Sequence, residues 1–117
     1  MTTTAQHYGI IDRDALKSKI DKKEKFQLWN VLAKDYYRPD ANIAGSQWIP
    51  ADELTEKVAR EKAPSKDEII VTYCGGGNCV ASKQAAEKLS SLGYTNVFAY
   101  EGGLKDWLEA GLPLVKL

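Results

Sequence analysis

The chain has 117 residues, 44% of them hydrophobic, which is the size of one domain with a real core. Its 16 basic residues balance 16 acidic ones, so charge gives no reason to expect nucleic acid or an anionic membrane surface as a partner. No run approaches the roughly 18 apolar residues of a membrane span, and residues 1–6 lack the basic end and apolar run of a secretion signal, so a cytoplasmic protein is expected.

In chain order, residues 1–7 are polar and unpatterned, a flexible leader before a single domain over residues 8–117. Residues 8–11 read as a short edge strand, after which Asp12 caps a helix with Leu16 and Ile20 four apart on one face. Lys22, Lys23 and Lys25 form a basic cluster that Asp21 and Glu24 interrupt, which suits a solvated turn. Aromatic and branched residues make 26–31 a strand. Residues 33–44 read as a short helical turn around Asp35-Tyr36-Tyr37, stopped by Pro39, and residues 46–49 as a brief strand before Pro50. Residues 51–63 have a helical pattern with Leu54 and Val58 on one face and Pro64 beyond the end.

The run Ile69-Ile70-Val71-Thr72-Tyr73 is a buried-strand pattern that ends at Cys74. Gly75, Gly76 and Gly77 follow, and a helix begins near Val80 with Ala81, Ala85, Leu89 and Leu92 on one stripe and Gly93 just past its end. Residues 96–100 form a further strand, 101–103 a turn, and Leu104, Trp107 and Leu108 the apolar face of a last helix before Gly111 and Pro113. Five strands alternating with helices predict an α/β fold, a mostly parallel five-stranded sheet with helices on both faces. Reactive sites of such sheets lie beyond the carboxyl ends of the strands, where Cys74 falls.

Without Cβ atoms the three glycines can curl and aim consecutive N–H groups at the Cys74 sulfur, and the following helix start adds its positive dipole end. A thiolate in that field has a pKa below the roughly 8.5 of a free thiol and is the reactive form. Cys74 is therefore the candidate nucleophile. Cys79, the only other cysteine, closes a Cys-x-x-x-x-Cys loop near the same helix start. Two cysteines do not make a disulfide scaffold, and with His7 as the sole histidine no zinc site is expected.

Taken in order, several segments resemble the rhodanese-like domain family of single-domain sulfurtransferases. Leu28-Trp29-Asn30-Val31 with Tyr36-Tyr37 is similar to its early "Leu-Ile-Asp-Val … Glu-Tyr" stretch, and Asn42-Ile43-Ala44-Gly45-Ser46 through Ile49-Pro50 to its "His-Ile-Pro-Gly-Ala … Ile-Pro" segment. Tyr73-Cys74 and its loop resemble the catalytic strand end. Leu92-Gly93-Tyr94 through Val97, Glu101-Gly102-Gly103 and Trp107 resemble the closing "Leu-Gly-Tyr … Val … Gly-Gly … Trp".

The resemblance implies a persulfide mechanism with no metal or organic cofactor. Cys74 takes the outer sulfur of a small donor such as thiosulfate, carries it in a cradle formed by Gly75, Gly76, Gly77, Asn78, Cys79 and Val80, and yields it to cyanide, a small thiol or a protein sulfur acceptor. The chain departs from the pattern where many members carry loop cations, having Gly75 and Cys79 there. Asn30 stands for the usual Asp, Leu32 for Arg and Asn42 for His, so the family's neighbouring ion pair is expected to be absent and neither asparagine to be catalytic. Lys83 is either a partial substitute for the lost cations or a surface lysine.

Two alternatives stay open. Cys79 can act as a resolving cysteine that attacks a Cys74 persulfide, which makes the chain a two-cysteine thiol-disulfide protein. The lost cations also suit a low-turnover sulfur-carrier or regulatory binding module. A cysteine-and-arginine phosphatase or arsenate reductase is excluded, because no arginine follows Cys74.

Overall fold

A computed structural model describes residues 8–76 and 79–116, so the expected leader and Gly77 and Asn78 of the loop lie outside the described residues. Strands β1 (Gly9–Ile10), β2 (Gln27–Asn30), β3 (Ser46–Trp48), β4 (Ile69–Tyr73) and β5 (Asn96–Tyr100) form one sheet in the order β1-β5-β4-β2-β3. All four pairings are parallel. Tyr73 lies beside Asn30 on one side and Tyr100 on the other, so β2, β4 and β5 end level. The central strand thus opens at its carboxyl end onto loops from both neighbours.

Alternation along β4 divides the core between the two faces of the sheet. Ile70 and Cys74 pack with Trp29, Ala85 and Leu89 on the side of helices α2 (Glu56–Lys62) and α3 (Ala81–Ser91). Val71 and Tyr73 pack with Leu16 and Trp107 on the side of α1 (Arg13–Asp21) and α4 (Gly103–Glu109). Removing a side chain such as Leu89 or Val71 from water contributes about 1.5–3 kcal/mol. The predicted α3 stripe of Ala81, Ala85, Leu89 and Leu92 packs into the first of these clusters. Gly93, at φ 101°, takes the left-handed position just after the helix.

Asp12 caps α1 as its chemistry predicts, its Oδ1 accepting from the Ala15 N–H at 2.8 Å. One expected helical stretch comes out differently. Residues 51–63 break into a 3-10 turn (Ala51–Glu53) and α2, because the Thr55 hydroxyl accepts from the Val58 N–H at 3.2 Å and starts a new helix there. Extended Leu54 between them is buried in the core. The expected turn around Asp35-Tyr36-Tyr37 is present, the Ala33 carbonyl accepting from the N–H groups of both Tyr36 and Tyr37, and aromatic packing then sets the path of the chain. The Tyr37 ring stacks on Trp48 with centroids 4.0 Å apart, and the Trp48 indole donates to the Leu32 carbonyl at 2.8 Å.

Candidate active site

Cys74 follows the last residue of β4 and is only 1% exposed. The loop after it is held from outside by α4. The Leu104 N–H donates to the Cys74 carbonyl and the Lys105 N–H to the Gly75 carbonyl, both at 2.9 Å. In a planar trans peptide the N–H points opposite to its C=O, so these bonds turn the Gly75 and Gly76 amides away from α4. This close approach needs glycine on both sides. A Cβ on Gly76 (φ +92°) would overlap the Gly102 carbonyl, and one on Gly103 (φ +60°) would lie 2.6 Å from the Gly76 nitrogen.

The far end of the loop is Cys79. Its N–H donates to the Gly76 carbonyl at 3.1 Å. Cys74 and Cys79 are joined as a disulfide with their Cα atoms 6.6 Å apart, within the reach such a bridge requires. Helix α3 starts two residues later behind Val80, which makes no side-chain cap. The amides of Ala81, Ser82 and Lys83 therefore form its electropositive end beside the loop. Thr72 fixes that end to β4 by donating its hydroxyl to the Ser82 carbonyl at 2.8 Å.

The structure thus brings Cys74, Gly75, Gly76 and Cys79 together and leaves the Val80 side chain exposed before α3, while Gly77 and Asn78 lie outside the described residues. Lys83 does not supply the lost cation freely, since its ammonium pairs with Glu101 at 3.8 Å. Lys105, next to the loop through its backbone, pairs with Glu109 at 3.0 Å.

A cleft of about 640 Å³ opens beside the loop, with Gly75 and Cys79 in its wall. Leu32, Ala41, Leu104, Leu108 and Leu114 make the rest mostly aliphatic, and exposed Tyr36 stands at its edge. Among the described residues that line it, Arg38 carries the only charge. Sequence reasoning missed Arg38. It sought a cation at loop spacing from Cys74, whereas Arg38 arrives from the turn after β2. A second cavity, about 720 Å³, lies at the opposite ends of β2 and β4 around Lys25, Gln27 and Glu68, and no cysteine is among the described residues of its wall.

The segment that carries Arg38 is anchored by the two asparagines read as a lost ion pair. Buried Asn30 donates to the Asn42 Oδ1 at 2.8 Å and accepts from the Leu32 N–H at 3.0 Å. Asn42 in turn donates to the Arg38 and Pro39 carbonyls, each at 3.1 Å. Its backbone also bridges Val115, which ties the turn to the C-terminal segment. A neutral amide pair does here what an ion pair would, without burying charge. Neither side chain lines the cleft.

Beneath the loops lie two buried tyrosines. Tyr73 accepts from the Ile43 N–H at 3.1 Å and donates to Ser46 at 2.8 Å, and burial pushes its phenol pKa up. Tyr100 donates to Asp106 at 2.6 Å, and Arg13 reaches the other oxygen of that carboxylate at 3.0 Å. Burial first, and the Asp106 carboxylate second, raise the Tyr100 pKa far above its ordinary value. This bonding braces α4, the helix that grips the Cys74 and Gly75 carbonyls.

Residues 12–110 match the model of the rhodanese-like domain. The mouse (Mus musculus) protein named thiosulfate sulfurtransferase/rhodanese-like domain-containing protein 3 is 33% identical over 110 residues, 86% of this chain and 68% of the relative. The crystal structure of the BH2092 protein from Bacillus halodurans superposes with a TM-score of 0.81 at 27% identity, covering 92% of this chain and 77% of that one. The human single-domain sulfurtransferase TSTD1 shares the fold at a TM-score of 0.68 and 22% identity, covering 86% of this chain and 95% of its own.

Proposed function

The chain belongs to the rhodanese-like domain family, and we propose that it is a sulfurtransferase working through a persulfide on Cys74. The observation that carries this reading is the loop around Cys74. α4 draws the Cys74 and Gly75 carbonyls outward, and the start of α3 adds its dipole, so the site favours negative charge where sulfur would be held. The Cys74 thiolate attacks the outer sulfur of a donor such as thiosulfate. The S–S bond of the donor breaks, sulfite leaves with the bonding pair, and Cys74–S–S⁻ remains. An acceptor thiolate then takes that outer sulfur as its own persulfide and returns Cys74 to the thiolate; cyanide would leave as thiocyanate. These steps use oriented amides and no resident cofactor.

The Cys74–Cys79 disulfide favours a second reading. The Cys79 thiolate attacks the inner sulfur of the Cys74 persulfide, hydrosulfide leaves, and the two cysteines end as the disulfide, which an external thiol must reduce before the next cycle. Intact mass separates the two. Reduced wild type, Cys74→Ser and Cys79→Ser are incubated with thiosulfate or with a persulfide donor and weighed without reductant. Gain of one sulfur in wild type and Cys79→Ser but not in Cys74→Ser supports transfer through Cys74. Loss of two hydrogens that needs both cysteines moves the protein to the redox class, and no change in any variant sinks both readings.

A further inference from the structure

We propose that the cleft beside the loop selects an organic sulfur donor, an apolar body bearing one anionic thiosulfonate group, and that Arg38 is the specificity-determining residue that holds the anion. The inference rests on the sulfurtransferase reading and adds the substrate class. The cleft measures about 640 Å³. Pockets of roughly 300–1,000 Å³ suit drug-sized molecules, far larger than thiosulfate. Its wall is aliphatic, and two of the described chain's exposed large hydrophobics, Tyr36 at 73% and Leu108 at 56%, stand on it. Such residues at the rim of a concave site mark apolar recognition.

The charges point the same way. Arg38 makes no ion pair among the described residues, whereas Lys83 and Lys105 are each paired with a glutamate. Asn42 fixes the Arg38 carbonyl, so the backbone that carries the guanidinium is held in place. One cation in an apolar cleft compensates one negative charge. A small dianion would have to give up its hydration for a single partner and leave the aliphatic wall unfilled. An aryl or alkyl thiosulfonate, R–SO₂–S⁻, places R on Leu104, Leu108 and Leu114 and its sulfonyl oxygens toward Arg38. The reaction balances without any other reagent. The Cys74 thiolate bonds the terminal sulfur, the S–S bond breaks, and R–SO₂⁻ leaves with the electron pair, which gives Cys74–S–S⁻.

The test measures Cys74 sulfur loading in the reduced 117-residue chain from benzenethiosulfonate and from thiosulfate, for wild type, Arg38→Gln and Arg38→Lys. Direct binding of benzenesulfonate, which transfers no sulfur, is measured alongside. The expected result is a kcat/KM for benzenethiosulfonate at least about tenfold above that for thiosulfate. Arg38→Gln should lower it about tenfold to a hundredfold, mainly through KM, with part recovered in Arg38→Lys. Benzenesulfonate binding should weaken in parallel. Equal or better use of thiosulfate by wild type, or an Arg38→Gln variant with an unchanged ratio of the two donors, overturns the proposal. Arg38-dependent binding of benzenesulfonate with no loading from either donor keeps the anion site but overturns sulfur transfer, and with it the donor assignment.

Discussion

Residues 74–76 and 32–42 leave neighbouring strands at the same end of the sheet and border the same cleft, yet they are held by different means. The first is fixed through its backbone, by the amides of Leu104 and Lys105, with glycines where the two chains touch. The second is fixed mainly through side chains, the Asn30–Asn42 amide pair, the Tyr37–Trp48 stack and the Trp48 indole on Leu32, with one backbone bridge from Asn42 to Val115. A loop held by peptide groups keeps its amides oriented whatever side chains it carries, which suits a site for a developing anion. A loop held by side chains can exchange the chemistry it presents, as the neutral amide pair and Arg38 do here.

The largest expected effect comes from breaking the backbone contact. Gly103→Ala combines a positive φ of 60° with a Cβ driven against the Gly76 nitrogen and the Cys74 carbonyl. Strain at such a position costs about 1–3 kcal/mol, and the overlap with backbone adds to it, so a loss of about 2–4 kcal/mol is expected in urea unfolding. Sulfur loading should fall as well, because the loop must move. A variant within about 0.5 kcal/mol of wild type would show that the loop does not depend on α4.

Breaking the side-chain anchor should cost less and act on a different property. Asn42→Ala leaves the Asn30 amide and the Arg38 and Pro39 carbonyls without their partner, at about 1–3 kcal/mol. Its distinguishing consequence is on selectivity: the preference for benzenethiosulfonate should shrink while loading from a persulfide donor continues. If both donors decline together, the two loops are one mechanical unit and the contrast between them is lost.

These expectations rest on unequal signals in the sequence. The parallel sheet and the position of Cys74 were legible because an apolar strand, three glycines and an apolar stripe come in order within residues 69–92. The grip of α4 was not, since bonds between peptide groups some thirty residues apart impose no side-chain pattern beyond the need for Gly76 and Gly103. Arg38 was missed for a related reason. Residues 33–44 read as one short helical turn, which Ala33 does close, but the path that follows it is decided by the Tyr37–Trp48 stack. Asn30 and Asn42 were read only as the loss of an ion pair, because the bond between them depends on two side chains twelve positions apart meeting in space.

Alkaline pH tests the brace under α4. The folded-state pKa of Tyr100 is raised above its unfolded value, near 10, so the folded chain holds this proton more tightly. Its contribution to stability is complete below about pH 10 and is lost as pH rises toward the folded-state pKa. Tyr100→Phe should therefore flatten the decline in stability above about pH 10, followed as urea midpoint against pH, though Tyr73 and Tyr94, also raised, keep part of the slope. An unchanged slope would mean that Tyr100 is not the phenol that matters.

The smallest effect is expected on the α3 side of the loop. Ser82 is fully buried in the first turn of α3, and its hydroxyl has no partner among the described residues, although its carbonyl accepts from Thr72. An unpaired buried hydroxyl costs free energy, and alanine is the better helix former, so Ser82→Ala should leave stability unchanged or raise it by up to about 1 kcal/mol. Loading of Cys74 should not change if α3 contributes only its amides and dipole to the site. A slower loading step with unchanged stability would instead assign the Ser82 hydroxyl a part in holding the reactive sulfur. The cradle would then be built from a side chain as well as from peptide groups, and the contrast between the two loops would hold for their anchoring but not for their chemistry.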